Sequence, residues 1–298
     1  MTPGVDPSPA ASTPPTEPLP SHEVRTRSLQ ADCANCAGLC CVALAFTRSG
    51  GFGFDKGAGE PCRNLQDDNR CSIHPVLRER GFPGCTVFDC QGTGQKITQI
   101  TFGGHGWREE PESRELIFVT FQVMRPLHEL LWYLNDALAR PEAGSLEPEL
   151  AALYAETEAL TLLSADEVLR VDVRAQRERV EVLLSQVSTA VRARARGDRA
   201  KSRAAAKARP GADLLGADFE GADLRGANLR GAHLIAANLR DTDLAGADLI
   251  GADMRDTDVR GADLSTALYL TQFQANAAVG DARTRLPSGV SRPSHWQS

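Results

Sequence analysis

Residues 211–265 read GADLL GADFE GADLR GANLR GAHLI AANLR DTDLA GADLI GADMR DTDVR GADLS, eleven units of five. The fourth position is apolar throughout: Leu214, Phe219, Leu224, Leu229, Leu234, Leu239, Leu244, Leu249, Met254, Val259 and Leu264. Two residues before each stands alanine or, at Thr242 and Thr257, threonine. Asp, Asn or His233 lies between, and glycine follows the unit at seven corners such as Gly216, Gly221 and Gly226. In an α-helix a step of five turns about 140° past a full turn, so the leucines would wander around the axis. In a flat strand they would alternate between faces, because five is odd. One turn of chain per unit satisfies the pattern, sending each central residue and its small partner inward and leaving Asp/Asn and Gly to shape the corner. Stacked coils of that kind form a solenoid whose ends need caps.

This stretch resembles the pentapeptide-repeat proteins, whose unit A(D/N)LxG is met in Ala222-Asp223-Leu224-Arg225-Gly226. The resemblance implies a right-handed, four-sided parallel β-helix over 211–271, including a degenerate unit near Ala267–Thr271. The segment Gln272–Asp281 is then expected to cap the last coil, and the rest of 272–298 to be a tail. Some members of that family mimic DNA and bind DNA gyrase. Eleven units at four per coil make under three coils, roughly 13 Å of axis at ordinary strand spacing. That matches only about four base pairs, which argues against gyrase as the partner. A protein partner on the solenoid surface is the stronger expectation.

Outward from the repeat, the 298 residues suggest a multidomain chain. All eight cysteines, Cys33, Cys36, Cys40, Cys41, Cys62, Cys71, Cys85 and Cys90, fall within 33–90. The first thirty residues have no apolar core of an export signal, so a cytoplasmic address is expected and the cysteines read as metal ligands rather than disulfides. Cys33 and Cys36 have the spacing at which two thiolates reach one ion. Cys40 and Cys41 are adjacent, and a bridge between neighbours strains the peptide, so each is expected to ligate or pair elsewhere. Two four-thiolate zinc sites, or an iron–sulfur cluster with thiols to spare, are both compatible with the spacing. His74 is open as a further ligand or a local hydrogen-bonding residue, and His105 reads as a loop residue.

Residues 33–90 also resemble the zinc- or iron-chelating cysteine-cluster family. The matching elements are Cys33-x-x-Cys36 with Cys40-Cys41, Cys62-Arg63-Asn64-Leu65, Cys71-Ser72-Ile73-His74, and Cys85-Thr86-Val87-Phe88-Asp89-Cys90. The link Leu77–Pro83 is longer than that family's. The resemblance implies Zn2+ or iron bound by all eight cysteines, without fixing which.

The expected organisation is a disordered Pro-rich 1–30, a Cys-rich metal-binding module at 31–108, a helical region at 109–191 and a basic linker at 192–210. In the helical region, Leu127, Leu130, Leu131, Leu134 and Leu138 share one helix face, while Ile117–Phe121 fits strand or helix. Leu146–Leu163 suggests a second helix, and Ser164 with Glu167 forms a capping box opening a long third one to Val191. The linker carries eight Arg and Lys against Asp198, a solvated run or a weak nucleic-acid contact. No apolar run is long enough to span a bilayer. No acid–base pair, nucleophile or phosphate loop stands out, so the function expected is non-enzymatic metal binding coupled to a protein-interaction scaffold. An iron–sulfur redox or maturation role and gyrase binding are the alternatives.

Overall fold

The computed structural model describes residues 18–197 and 203–296. The proline-rich stretch up to residue 17 and residues 198–202 of the basic run lie outside the described residues. Where the disordered N-terminus was expected to continue, His22–Ser28 forms helix α1, capped by Ser21. It is docked by Arg25, a buried side chain whose Nε donates to Asn135 Oδ1 at 2.8 Å and whose guanidinium lies over the Tyr154 ring. Its aliphatic stem covers apolar surface while the head finds an acceptor.

The cysteine module is made of short pieces: α2 (Leu39–Val42), α3 (Pro83–Val87) and α4 (Thr93–Lys96), joined by turns. Its core includes Leu39, Val42, Ile97 and Trp107, completed by Ile117, Phe118, Phe121 and Met124 of helix α5 (Arg114–Leu138). The ambiguous Ile117–Phe121 is therefore helix, continuous through Pro126. From Leu130 to Asn135 every residue of α5 is buried, so this half of the helix is packed on all sides. It belongs to a second, larger core shared with α6 (Glu147–Leu160), with α8 (Val173–Arg196) and with the solenoid.

The expected single third helix is instead two. The Ser164/Glu167 box caps a short α7 (Ala165–Val168), and Asp172 restarts the chain as α8 by accepting from Ala175 N at 2.9 Å. Val168 packs on the cysteine-side core, whereas Val180, Leu184, Val187 and Val191 belong to the larger core shared with the solenoid. One straight helix could not serve both, and the break reorients it. The stretch read as a basic linker is also partly structured. Helix α8 runs on to Arg196, α9 (Arg203–Lys207) follows, and Ala208 is buried in the larger core.

The solenoid folds as the repeat demands. Parallel bridges join residues twenty apart, Asp213 to His233 to Asp253 for one face, which gives four units per coil. All eleven central residues are buried. Threonine is tolerated inside because its hydroxyl finds a carbonyl: Thr242 Oγ1 donates to Phe219 O at 2.9 Å and Thr257 Oγ1 to Leu234 O at 2.7 Å. The cap is α10 (Gln272–Ala277), from which Gln274 donates to Leu249 O and Ala252 O at the coil's end. Beyond it there is no loose tail up to Trp296. Val279 and Arg285 pair with Asp258 and Asp263 as a partial fourth coil, and Thr284 Oγ1 donates to Val259 O as the inward threonines do. Trp296 is buried over Gly280, where a side chain would collide with its ring.

Candidate functional site

The eight thiols come from separate short pieces of the module, and all are free. Cys33 opens a turn held by Asp32, whose carboxylate accepts from Ala34 N. Gly38, in the left-handed region, starts α2, which buries Leu39 and Val42 and leaves Cys40 and Cys41 half-buried with sulfurs 3.9 Å apart. Cys62 N donates to Cys41 O at 3.0 Å, and Leu65 bridges Cys71. Cys85 sits in α3. Cys90 and Cys36 both approach Gly94, where a Cβ would stand 2.6 Å from the Cys36 sulfur and 3.9 Å from that of Cys90.

Their electrostatics record this gathering. Burial, and then the charges of Cys41, Cys62 and Cys71, push the Cys85 thiol up to about 12. Burial, with Asp89 and Cys36 behind it, does the same to Cys90, up to about 12. Cys40 is raised by its hydrogen bond to Cys41 and by burial. Cys41 alone goes down, held by that bond and by the ammonium of Lys56. Eight reduced thiols are a soft donor set of the kind that suits zinc or iron. Among the described residues, no three Cys, His, Asp or Glu side chains already stand as a closed metal shell. Neither His74, in the turn after Cys71, nor His105, facing Glu110 at 4.0 Å, completes one.

Lys56 carries no signal in the sequence and is found only in the fold. It is buried, and its Nζ donates to Val42 O, Gly57 O and Glu60 O at 3.1, 2.8 and 2.7 Å.

The module is fastened to the solenoid's cap. Helix α3 packs on α10, and Arg78 donates to Asn276 O at 3.2 Å and meets His295 Nε2 at 3.3 Å. A second face of the solenoid is covered by α8. Asp248, fully buried, accepts from Ser188 Oγ at 2.5 Å and from Arg230 Nη1 at 2.8 Å, and Arg230 also pairs with Glu181. Tyr269 OH donates to Leu184 O at 2.9 Å.

The outward aspartates are turn chemistry first. Asp218, Asp223, Asp243, Asp253, Asp258 and Asp263 each accept the backbone N–H two residues on, at 3.0–3.2 Å. That local bond is why Asn228 and Asn238 substitute freely. Much of the charge is also paired, as in Asp253 with Arg255, Asp243 with Arg225 and Asp263 with Arg285. Among the described residues no helix is long and apolar enough to cross a membrane.

A twenty-residue coil, an inward Leu/Ala pair and an Asx-held corner define a pentapeptide-repeat protein. The family model for pentapeptide repeats (8 copies) matches residues 211–241 and 227–265. The chain is 49% identical over 276 residues to the uncharacterized protein YybG of Bacillus subtilis (strain 168), covering 93% of this chain and 98% of that one. It belongs to the same family as that protein. A solved pentapeptide repeat protein from the Arabidopsis thaliana thylakoid lumen is 26% identical, covering 34% of this chain and 69% of that one, with a TM-score of 0.21.

Proposed function

We propose that this is a non-enzymatic metal-binding protein in which a cysteine-thiolate module is mounted on a pentapeptide-repeat interaction scaffold. One observation carries the reading: eight unpaired thiols from separate pieces of chain fall in one module that has few other means of cross-linking itself. A cytoplasmic setting would keep such thiols reduced. Zinc or iron, held by Cys33, Cys36, Cys40, Cys41, Cys62, Cys71, Cys85 and Cys90, would replace mutual thiolate repulsion with coordination. Binding must draw the sulfurs closer than they stand. The partner surface is the solenoid's outer faces left open by α8. DNA mimicry of the gyrase-binding kind is disfavoured, because the aspartates are tied to their own backbone and to neighbouring arginines.

The test is metal content and an absorption spectrum on protein purified without oxygen. One or two zinc ions per chain with no visible band support the scaffold reading. Iron with sulfide and a broad visible band turns the function to redox or cluster maturation. Absence of any metal overturns metal binding itself.

A further inference from the structure

Cys40 and Cys41 are two thiols that touch. Their sulfurs stand 3.9 Å apart, and among the described residues no other pair of cysteines makes such a contact. Both side chains are half-buried, which leaves each within reach of a small solute. They occupy the middle of α2, a single helical turn entered through Gly38 at φ +68° and flanked by the fully buried Leu39 and Val42. The peptide that joins the two cysteines closes that turn, because Cys41 N donates to Gly38 O at 2.9 Å.

We infer that Cys40 and Cys41 form an oxidation site, at which a hydroperoxide converts the adjacent dithiol to a disulfide and opens α2. One sulfur takes the terminal oxygen of the peroxide: an S–O bond forms, the O–O bond breaks, and the rest departs as an alcohol or, from hydrogen peroxide, as water. The product is a sulfenic acid. The neighbouring sulfur then attacks it, so that the S–S bond forms, the S–O bond breaks, and the hydroxyl leaves as water with the second thiol's proton. The dithiol gives up two electrons and the peroxide takes both. Residues joined by a disulfide ordinarily have Cα atoms about 4.4–6.8 Å apart, whereas neighbours across a trans peptide are held at about 3.8 Å. The peptide between Cys40 and Cys41 must absorb that mismatch, and its N–H is the one bonded to Gly38 O. Closing the ring therefore breaks the turn beside Val42, whose carbonyl accepts from Gly59 N at 2.9 Å and Lys56 Nζ at 3.1 Å. The strain that sends most adjacent cysteines to other partners makes this bond easy to reduce again, so it responds to oxidant rather than cross-linking the module. The inference goes beyond the metal-binding reading and does not depend on it.

The experiment treats the reduced full-length protein, as purified, with hydrogen peroxide, blocks the remaining thiols with iodoacetamide and digests with chymotrypsin. Cleavage after Leu39 and Phe46 leaves a peptide, residues 40–46, that contains these two cysteines alone. Its mass should show no alkylation and two hydrogens fewer than the reduced peptide, and it should return to the doubly alkylated form when dithiothreitol precedes the block. Hydrogen exchange over 38–43 should rise several-fold in the oxidised protein. In Cys40→Ser and Cys41→Ser the remaining thiol has no neighbour to close on. Dimedone, which traps sulfenic acid, should therefore label it several-fold more than it labels either cysteine of the wild type. A peptide 40–46 that stays doubly alkylated, or that is joined to the peptide carrying Cys36 or Cys90, overturns the oxidation site. That result is read on wild type, so it stands even where a serine variant fails to fold. Unchanged exchange with the bond formed overturns the opening of α2.

Discussion

Glycine at the corners of the solenoid answers two different needs. At Gly216 the backbone is left-handed, φ +61°, with open space where a Cβ would go. Gly226 has nearly the same φ, +62°, but a Cβ there would collide with the Arg192 carbonyl oxygen of α8. Ala236, Asp241 and Asp256 take the same conformation without glycine, so the strain is affordable once. Gly216→Ala should then cost about 1 kcal/mol, the left-handed penalty alone. Gly226→Ala should cost about 1–3 kcal/mol more, because α8 must shift off the coil. Urea titration of both variants checks this, and equal losses would mean that α8 does not press on that corner. The same contrast shows what was legible. The period of five fixed the inward residues and the corners because every unit repeats one solution. That Gly226 also makes room for a helix depends on a residue more than thirty positions earlier. Lys56 was invisible for a similar reason, since the carbonyls that hold it identify themselves only in three dimensions. The cysteine spacing showed the donor set, but not how far apart folding leaves the sulfurs.

Among the elements, α5 joins the module to the rest and shows where periodicity falls short. Its leucine stripe marked the C-terminal half, while the first half alternated too ambiguously until packing against Leu39 and Trp107 decided it. The break before α8 was hidden because both pieces share helical spacing and only their destinations differ. The partial fourth coil was overlooked since Thr284 and Arg285 follow the earlier units out of register, with Arg285 twenty-two residues beyond its bridge partner Asp263. Midway along α5, His128 is buried with Nδ1 2.7 Å from Gln91 O and Nε2 unpartnered. Burial pulls its pKa from 6.5 to about 4. The folded form therefore prefers neutral imidazole, and the unfolded chain binds the extra proton between those values. Stability from this group is complete above pH 6.5 and is lost as pH falls toward 4, by about 3 kcal/mol at most. His128→Gln should flatten that part of the stability profile in denaturant titrations at pH 7 and pH 4.5. An unchanged slope would assign the acid sensitivity to another group.

At the scale of the whole molecule, the boundary expected between helical region and repeat is not a boundary in the core. Leu130–Leu134 of α5, Val180–Val191 of α8 and the inward residues of the solenoid form one buried cluster. Trp132 Nε1 donates to Leu270 O at 3.1 Å, and Tyr133 stacks edge-on against Tyr269. Helices and coils should therefore unfold together, since neither can keep its buried face dry without the other. Asp248 is the sharpest probe of that coupling because it touches both. Asp248→Ala leaves the Ser188 hydroxyl without its acceptor and Arg230 with only Glu181, in a place where Asp248 is sealed from water. Breaking a buried pair this way costs about 3 kcal/mol or more. Hydrogen exchange followed peptide by peptide should show protection falling by the same amount in 114–138 and in 231–250. A loss confined to the coils would mean that the solenoid unfolds alone and that the helices lean on it without sharing its stability.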